Sequence, residues 1–297
     1  MRLWRPSPRW PLLLAACFAL TACDPFSRPA AVKTAVPPTT SSPATTGTAP
    51  SSGSTGSTKA APSWPGVVRQ AMAWVSPRTQ VPLLAPTRVA WPSGAGPNSA
   101  QASASPTRYS VSLFDCPQPL PLNDPHIGTG ACGAMASIYG SFGGRSYLSR
   151  AAALQAVQAN AAAPAGCPDT RLVVLQPTSP GGHPGITATL YYGPQPQGNC
   201  LAVWNEGEWT FLLEGDLNGG IGGDPMEPWT DLARRIVSYL DRHRLPKTHG
   251  VFDCDLAPDG LHTDVSWAPG QDVYSAGLYH GAVRSLGLVI SMAPYPR

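Results

Sequence analysis

A tryptophan, a glycine three residues on and an aromatic residue four further recur in the last third of the chain. They appear as Trp204-x-x-Gly207-x-x-x-Phe211 and as Trp267-x-x-Gly270-x-x-x-Tyr274. Around the first copy, Leu201-Ala202-Val203-Trp204 and Trp209-Thr210-Phe211-Leu212-Leu213 flank Asn205-Glu206-Gly207, which reads as a β-hairpin. Pro228 then opens a helix at its favoured first-turn position. Trp229, Leu232, Ala233, Ile236, Val237 and Leu240 fall on one side of it, and Arg234, Arg235, Asp241 and Arg242 on the other. Leu245-Pro246 stops it. Around the second copy, strands over 251–255 and 263–267 join through Pro258-Asp259-Gly260, and Ala268-Pro269-Gly270 turns into a strand over 272–274. A last helix carries Tyr279, Ala282, Val283, Leu286, Val289 and Ile290 on one face. Segments 186–245 and 250–293 therefore read as degenerate copies of a hairpin-then-helix unit. Such a unit cannot cover its own apolar face. The expected fold is α+β, an antiparallel sheet built from β-hairpin-then-helix units with the helices packed on it.

The middle of the chain is less regular. A helix is expected over 67–75, before Pro77, and an extended segment over 81–87, where prolines exclude regular helix. Residues 91–105 read as loop and 109–113 as a strand. Gly143-Gly144 reads as the tight turn of another hairpin, a third and weaker copy of the unit. Ser149 is placed to cap a helix running to Asn160, with Leu154 and Val157 on its buried face. Residues 172–175 and 186–192 read as strands.

The N-terminal quarter is of another kind. From 25 to 62 the chain is almost all Pro, Ser, Thr, Ala and Gly, without apolar periodicity. It cannot bury enough surface to offset its chain entropy, so it is expected to be a disordered tether over 23–63 ahead of a globular domain over 64–297. Before it come Arg2, Arg5 and Arg9, then an apolar stretch over 10–20 that is too short to span a bilayer, which takes about 20 residues. Leu20-Thr21-Ala22-Cys23 follows. This run resembles the lipobox of bacterial lipoproteins. The resemblance implies a signal peptide over 1–22, diacylglycerol on the Cys23 thioether and an acylated new amino terminus. It places the chain at a cell membrane, lipid-anchored on the extracytoplasmic face. Asp24 resembles an inner-membrane retention signal of two-membrane bacteria.

Of 20 Lys and Arg, the three in the signal segment account for the whole formal charge of +3. What remains is balanced against 17 Asp and Glu. No basic run is left to release phosphate counterions, which excludes a nucleic-acid partner.

Beyond Cys17 and Cys23 the cysteines are Cys116, Cys132, Cys167, Cys200 and Cys254. An exported compartment permits disulfides, and Cys116 with Cys132 is the preferred pair. Cys254, in a strand-like segment, reads as a buried small hydrophobe.

Four constellations bear on chemistry. Gly128-Thr129-Gly130-Ala131-Cys132-Gly133 fits G-x-G-x-x-G but lacks the preceding strand that a dinucleotide site needs, so no cofactor is expected. Asp216, Asn218, Asp224 and Glu227 stand at positions one, three, nine and twelve of a loop, as calcium ligands of the EF-hand type do, with Ile221 where that loop requires glycine. A connector whose acids favour the next helix N-terminus explains them equally well. His262 and Asp264 fall on one strand face, as a base with its orienting acid would. Cys132 with His126 suggests a thiol nucleophile unless Cys132 is bridged. Trp204, Trp209, Trp229 and Trp267, with Tyr191 and Tyr192, offer stacking faces for sugars or peptides if exposed; Trp229 is assigned to the core and Trp204 and Trp267 are open between core and surface.

The leading expectation is a non-enzymatic binding domain for an envelope protein, wall polymer or small ligand. The alternatives are an extracytoplasmic hydrolase built on His262 and Asp264, and a structural spacer.

Overall fold

Alternating apolar residues around Trp204 and Trp267 form two antiparallel hairpins of one large sheet. The computed structural model describes residues 62–89, 96–132, 138–159, 169–177, 185–192, 199–216, 227–257, 260–279 and 281–297. The expected signal peptide and Cys23 lipid site, and nearly all of the expected tether, lie outside the described residues.

Helix α1 (Gly66–Val75) buries Val68, Ala71, Met72 and Val75, one stripe at helical spacing. Strand β1 (Leu84–Pro86) is followed by β2 (Ser99–Ser105), β3 (Arg108–Phe114) and β4 (Ile138–Ser146), then by α2 (Arg150–Gln158). Strands β5 (Asp169–Gln176), β6 (Ile186–Tyr192), β7 (Asn199–Glu206) and β8 (Trp209–Asp216) precede α3 (Glu227–Leu240). Strands β9 (His249–Ala257), β10 (Gly260–Ala268) and β11 (Asp272–Tyr279), helix α4 (Ala282–Ile290) and strand β12 (Met292–Pro294) complete the order.

Ten strands form one sheet in the order β2-β3-β4-β11-β10-β9-β8-β7-β6-β5, and β1 pairs separately with β12. The architecture is α+β, an open and mostly antiparallel sheet with helices packed on it. The departure from antiparallel pairing is β8 with β9, which run parallel. A parallel pair needs a crossover, and α3 lies within the connection between them.

The main core lies under α1, α3 and α4. Its rows can be read straight across the strands. Val111, Phe142, Ala276, Val265, Phe252, Phe211 and Trp204 are successive register partners. The next row runs Tyr109, Gly144, Tyr274, Trp267, Gly250 and Trp209. Helix α2 contacts β9, β10 and β11. Its buried Ala153 and Val157 stand outside the main core, and Val251, Ser266 and Val273 are buried at the opposite strand parity. Thus α2 covers part of the second sheet face.

Several expectations hold. Ser149 caps α2, its hydroxyl accepting from the Ala152 N–H at 3.2 Å. Cys116 and Cys132 are bridged, and Cys254 is fully buried. Burial pushes the Cys254 thiol up to about 12.

Others are corrected. Gly143-Gly144 is no turn: β4 runs straight through it. A methyl group at Gly143 would land on the Tyr109 carbonyl, and one at Gly144 would meet the Tyr109 ring at 2.8 Å and the Tyr274 ring at 3.0 Å. The pair exists for close approach, not for positive φ. Residues 99–105 form β2 rather than loop; its alternating Ser and Ala carry no large apolar signal. Tyr279 ends β11 instead of facing a helix. In α2 the buried residues are Ala153 and Val157, while Leu154 is half-buried. Asn160, the expected end of that helix, is outside the described residues.

The glycine rows give a direct test. Gly143→Ala or Gly250→Ala should each cost about 1–3 kcal/mol, because backbone or a buried indole must move. Gly270→Ala, with nothing within 4 Å and no positive φ, should lie within about 0.5 kcal/mol of the parent. Urea melts of the three variants check this.

Candidate functional site

Glu206 ends β7 on the same strand parity as Trp204, which faces the main core. Strand alternation therefore carries its carboxylate to the margin of an apolar layer. The Trp204 indole N–H donates to Glu206 Oε1 at 3.1 Å. Burial pushes the Glu206 carboxyl up to about 7; the Trp204 bond opposes this and the nearby Asp241 charge adds to it. A two-residue turn follows, in which Gly207 takes φ 61°, a value that glycine adopts without strain. Beyond it the buried Trp209 donates its indole N–H to the Pro246 carbonyl at 3.0 Å. That bond fastens the hairpin turn to the segment leaving α3.

The two segments border an open surface cleft of about 620 Å³. The hairpin contributes Glu206, Glu208 and Trp209; the segment after α3 contributes His243, Arg244 and Lys247, with Leu240 and Leu245 as apolar surface. His243 Nδ1 lies 2.8 Å from the Tyr239 carbonyl, so Nδ1 carries the proton and Nε2 is the second ring position. The ring stacks on Tyr239, with centroids 4.0 Å apart and planes 12° from parallel. Glu208 approaches His249 at 3.9 Å. The cleft is thus lined by two carboxyl groups, an imidazole, a guanidinium and an ammonium group, and burial pushes the Glu206 carboxyl up to about 7.

The anticipated residues are distributed differently. His262 and Asp264 do share a face, the one opposite the main core. His262 is half-buried, its ring meeting the edge of Tyr279 at 4.9 Å and 84°. Asp264 is exposed and opposes Asp253 on β9. Glu214, Asp255, His262 and Tyr279 are successive register partners on that face. Among the described residues no group of three or more His, Cys, Asp or Glu has the geometry to hold a metal ion.

Of the calcium candidates, Asp216 ends β8 and Glu227 begins α3, while Asn218 and Asp224 lie outside the described residues. A strand leads into that loop, where an EF-hand has a helix. The glycine run over 128–133 follows turns rather than a strand; Gly128 and Gly130 have φ 84° and 54°, and a three-residue 3-10 turn over Gly130–Cys132 comes next. It is no dinucleotide loop. The bridge to Cys116 removes Cys132 as a thiol nucleophile. His126 is exposed and pairs with Asp124 at 2.8 Å. The His126 backbone N–H, then its ring, hold the Asp124 carboxyl below the ordinary range.

Trp204, Trp209, Trp229 and Trp267 are all buried, so none is a stacking platform. Tyr191 is half-buried, and the Tyr192 side chain is outside the description. The cleft residues escaped the sequence reading because Asn205-Glu206-Gly207 read only as a turn. The available signal was the Trp204-x-Glu206 spacing, which sets a carboxyl beside an indole on the buried side of a strand.

The raised Glu206 value fixes the sign of a pH effect. The unfolded chain releases this proton in the ordinary glutamate range, whereas the folded state holds it to about 7. The stability involved is fully present below the unfolded value and is lost as pH rises through 7. Glu206→Gln should remove the loss, gaining roughly 1–2 kcal/mol at pH 8.5 relative to pH 4, a figure reduced for solvent screening. Paired urea melts at pH 4, 6 and 8.5 read the difference.

Comparison with protein-family models, with curated proteins and with solved structures returns no match.

Proposed function

We propose that the chain is an extracytoplasmic lipoprotein, anchored to a cell membrane through Cys23, whose domain binds a ligand without transforming it. The cleft between the β7–β8 turn and the segment after α3 is the binding site. Its mixed polar lining carries the reading: Glu206 and Glu208 share a cleft of about 620 Å³ with His243, Arg244 and Lys247. Such an arrangement suits a zwitterionic ligand, such as a peptide segment of a wall polymer or of an envelope protein. The anchor rests on the run Leu20-Thr21-Ala22-Cys23 and on the charged and apolar segments before it. No helix among the described residues is long and apolar enough to cross a membrane.

Segments 186–245 and 250–293 are, on this reading, two copies of one unit. Trp204 opposes Phe211 and Trp267 opposes Tyr274 in register, with rings 5.0 Å and 5.8 Å apart. Each hairpin precedes an amphipathic helix. The calcium loop is a connector whose acids suit the helix N-terminus that follows.

Two measurements test the proposal. The parent chain should fractionate with membranes, and Cys23→Ser should release it to the soluble fraction; an unmodified Cys23 by mass spectrometry removes the anchor. For the cleft, immobilised mature chain should saturably retain peptides released from purified cell wall. Arg244→Glu with Lys247→Glu should weaken that retention about tenfold or more while the melting temperature holds. Unchanged retention assigns binding elsewhere. Turnover abolished by His262→Ala without loss of stability would establish the hydrolase instead. Concentration-dependent self-assembly in place of ligand retention would establish the spacer.

A further inference from the structure

The chain carries balanced charge after its signal segment, and several arginines gather in the helical layer, which also bears Asp231 and Asp241, while Arg108 and Arg145 lie on the other sheet face. The helical layer over the main core bears Arg69 and Arg78 near α1, Arg234 and Arg235 along α3, Arg242 in the turn after it, and Arg284 in α4, all exposed. On the other sheet face lie Glu214, Asp253, Asp255 and Asp264, neighbours in register. Within the helical layer, α3 and α4 pack together and leave a groove of about 940 Å³ beside them. Asp231, Arg234, Arg235, Ser238 and Tyr239 of α3 and Arg242 of the turn after it line it with Val283 of α4. Asp231 approaches Arg234 at 4.0 Å, with both side chains more than half exposed. That contact neutralises little. The first turn of α4 contributes no acid.

We infer that this arginine groove docks on phosphate-bearing headgroups of an anionic bilayer. The inference rests on the proposed Cys23 anchor for its geometry. Thirty-eight residues separate Cys23 from Pro62. The chain enters the domain at Trp64, whose indole donates to the Ala85 carbonyl and whose ring packs on Tyr295, just ahead of α1. The tether therefore joins the domain on the layer that carries the groove. An anionic surface attracts that layer and repels the acidic row behind it. Guanidinium groups suit the role because their planar forks pair with phosphate oxygens.

The test uses the mature chain bearing Cys23→Ser, which carries no lipid, so that vesicle binding reports the groove and not the anchor. Sedimentation is measured with vesicles of phosphatidylcholine alone and with vesicles containing about 30% phosphatidylglycerol. The protein should bind the second kind only, and binding should fall steeply between about 50 and 300 mM salt. Replacing Arg234, Arg235 and Arg242 with Gln should lower the partition coefficient ~10-fold or more, from an attraction of about 1 kcal/mol per basic residue at such a surface. Arg150→Gln, on α2 over the opposite sheet face, should leave it unchanged. Equal binding to both kinds of vesicle, or an unaltered triple variant that melts like the parent, overturns the proposal. So does complete displacement by millimolar glycerol phosphate, which assigns the groove to a soluble phosphate ester. A mass spectrum showing Cys23 unmodified in the native protein fails the anchor alone and leaves the vesicle result to be judged separately.

Discussion

Flat aromatic rings laid over mid-strand glycines hold this sheet together. In the row Tyr109, Gly144, Tyr274, Trp267, Gly250 and Trp209, the glycines leave room for the rings on either side. A methyl group at Gly250 would land on the Trp209 ring. Glycine weakens a strand by itself, through entropy and through the side chain it does not pack. Each large ring it admits returns roughly 2–3 kcal/mol or more by burial, so the exchange favours the fold.

The same rings use their polar tips to position loops. The Tyr109 hydroxyl accepts from the Leu84 N–H at 3.0 Å and donates to the Leu84 carbonyl at 2.9 Å. The Tyr274 hydroxyl donates to the Pro82 carbonyl at 3.0 Å. Burial raises both phenols, so they remain neutral donors throughout the physiological range. Together these bonds dock 82–84 onto the sheet and allow β1 to pair with β12 near the C-terminus. Trp209 does the equivalent for Pro246 and so shapes the cleft. A net gain of about 1 kcal/mol for each such bond is small beside ring burial. Its value is directional, since burial selects a face and a hydrogen bond selects a place on it.

What the sequence disclosed follows from this division. The hairpin around Gly207 and the helices at 66–75 and 227–240 were legible because large apolar residues recur there at strand or helix spacing. The bridge from Cys116 to Cys132 was legible from the short loop between them. Strand β2 was not, because its alternation is of Ser with Ala. Its outer edge is finished by Asn123, whose backbone N–H donates to the Ala100 carbonyl and whose side chain accepts from the Ala102 N–H. Such side-chain closure of an edge leaves no pattern in a string of small residues. Gly143-Gly144 misled for a related reason. A glycine pair signals a turn or a close approach with equal force, and only the neighbours Tyr109 and Tyr274, remote in sequence, decide between them. The parallel pairing of β8 with β9 was invisible locally, since strand direction is set by the crossover and not by the strands.

The carboxyl groups make the final contrast. Glu214, Asp253, Asp255 and Asp264 are neighbours in register, beside the His262 that the sequence singled out with Asp264. Yet they lie on the sheet face away from the main core, and Asp264 and Asp255 are exposed to water. Glu206 differs by one step of strand parity. It falls on the core side, beneath a hairpin turn and against the Trp204 indole, where desolvation holds its proton to near-neutral pH. A carboxyl that can donate as well as accept near pH 7, in the same cleft lining as Arg244 and Lys247, is the feature on which the proposed binding site rests. Parity and burial, rather than the number of acidic residues, therefore direct attention to the cleft.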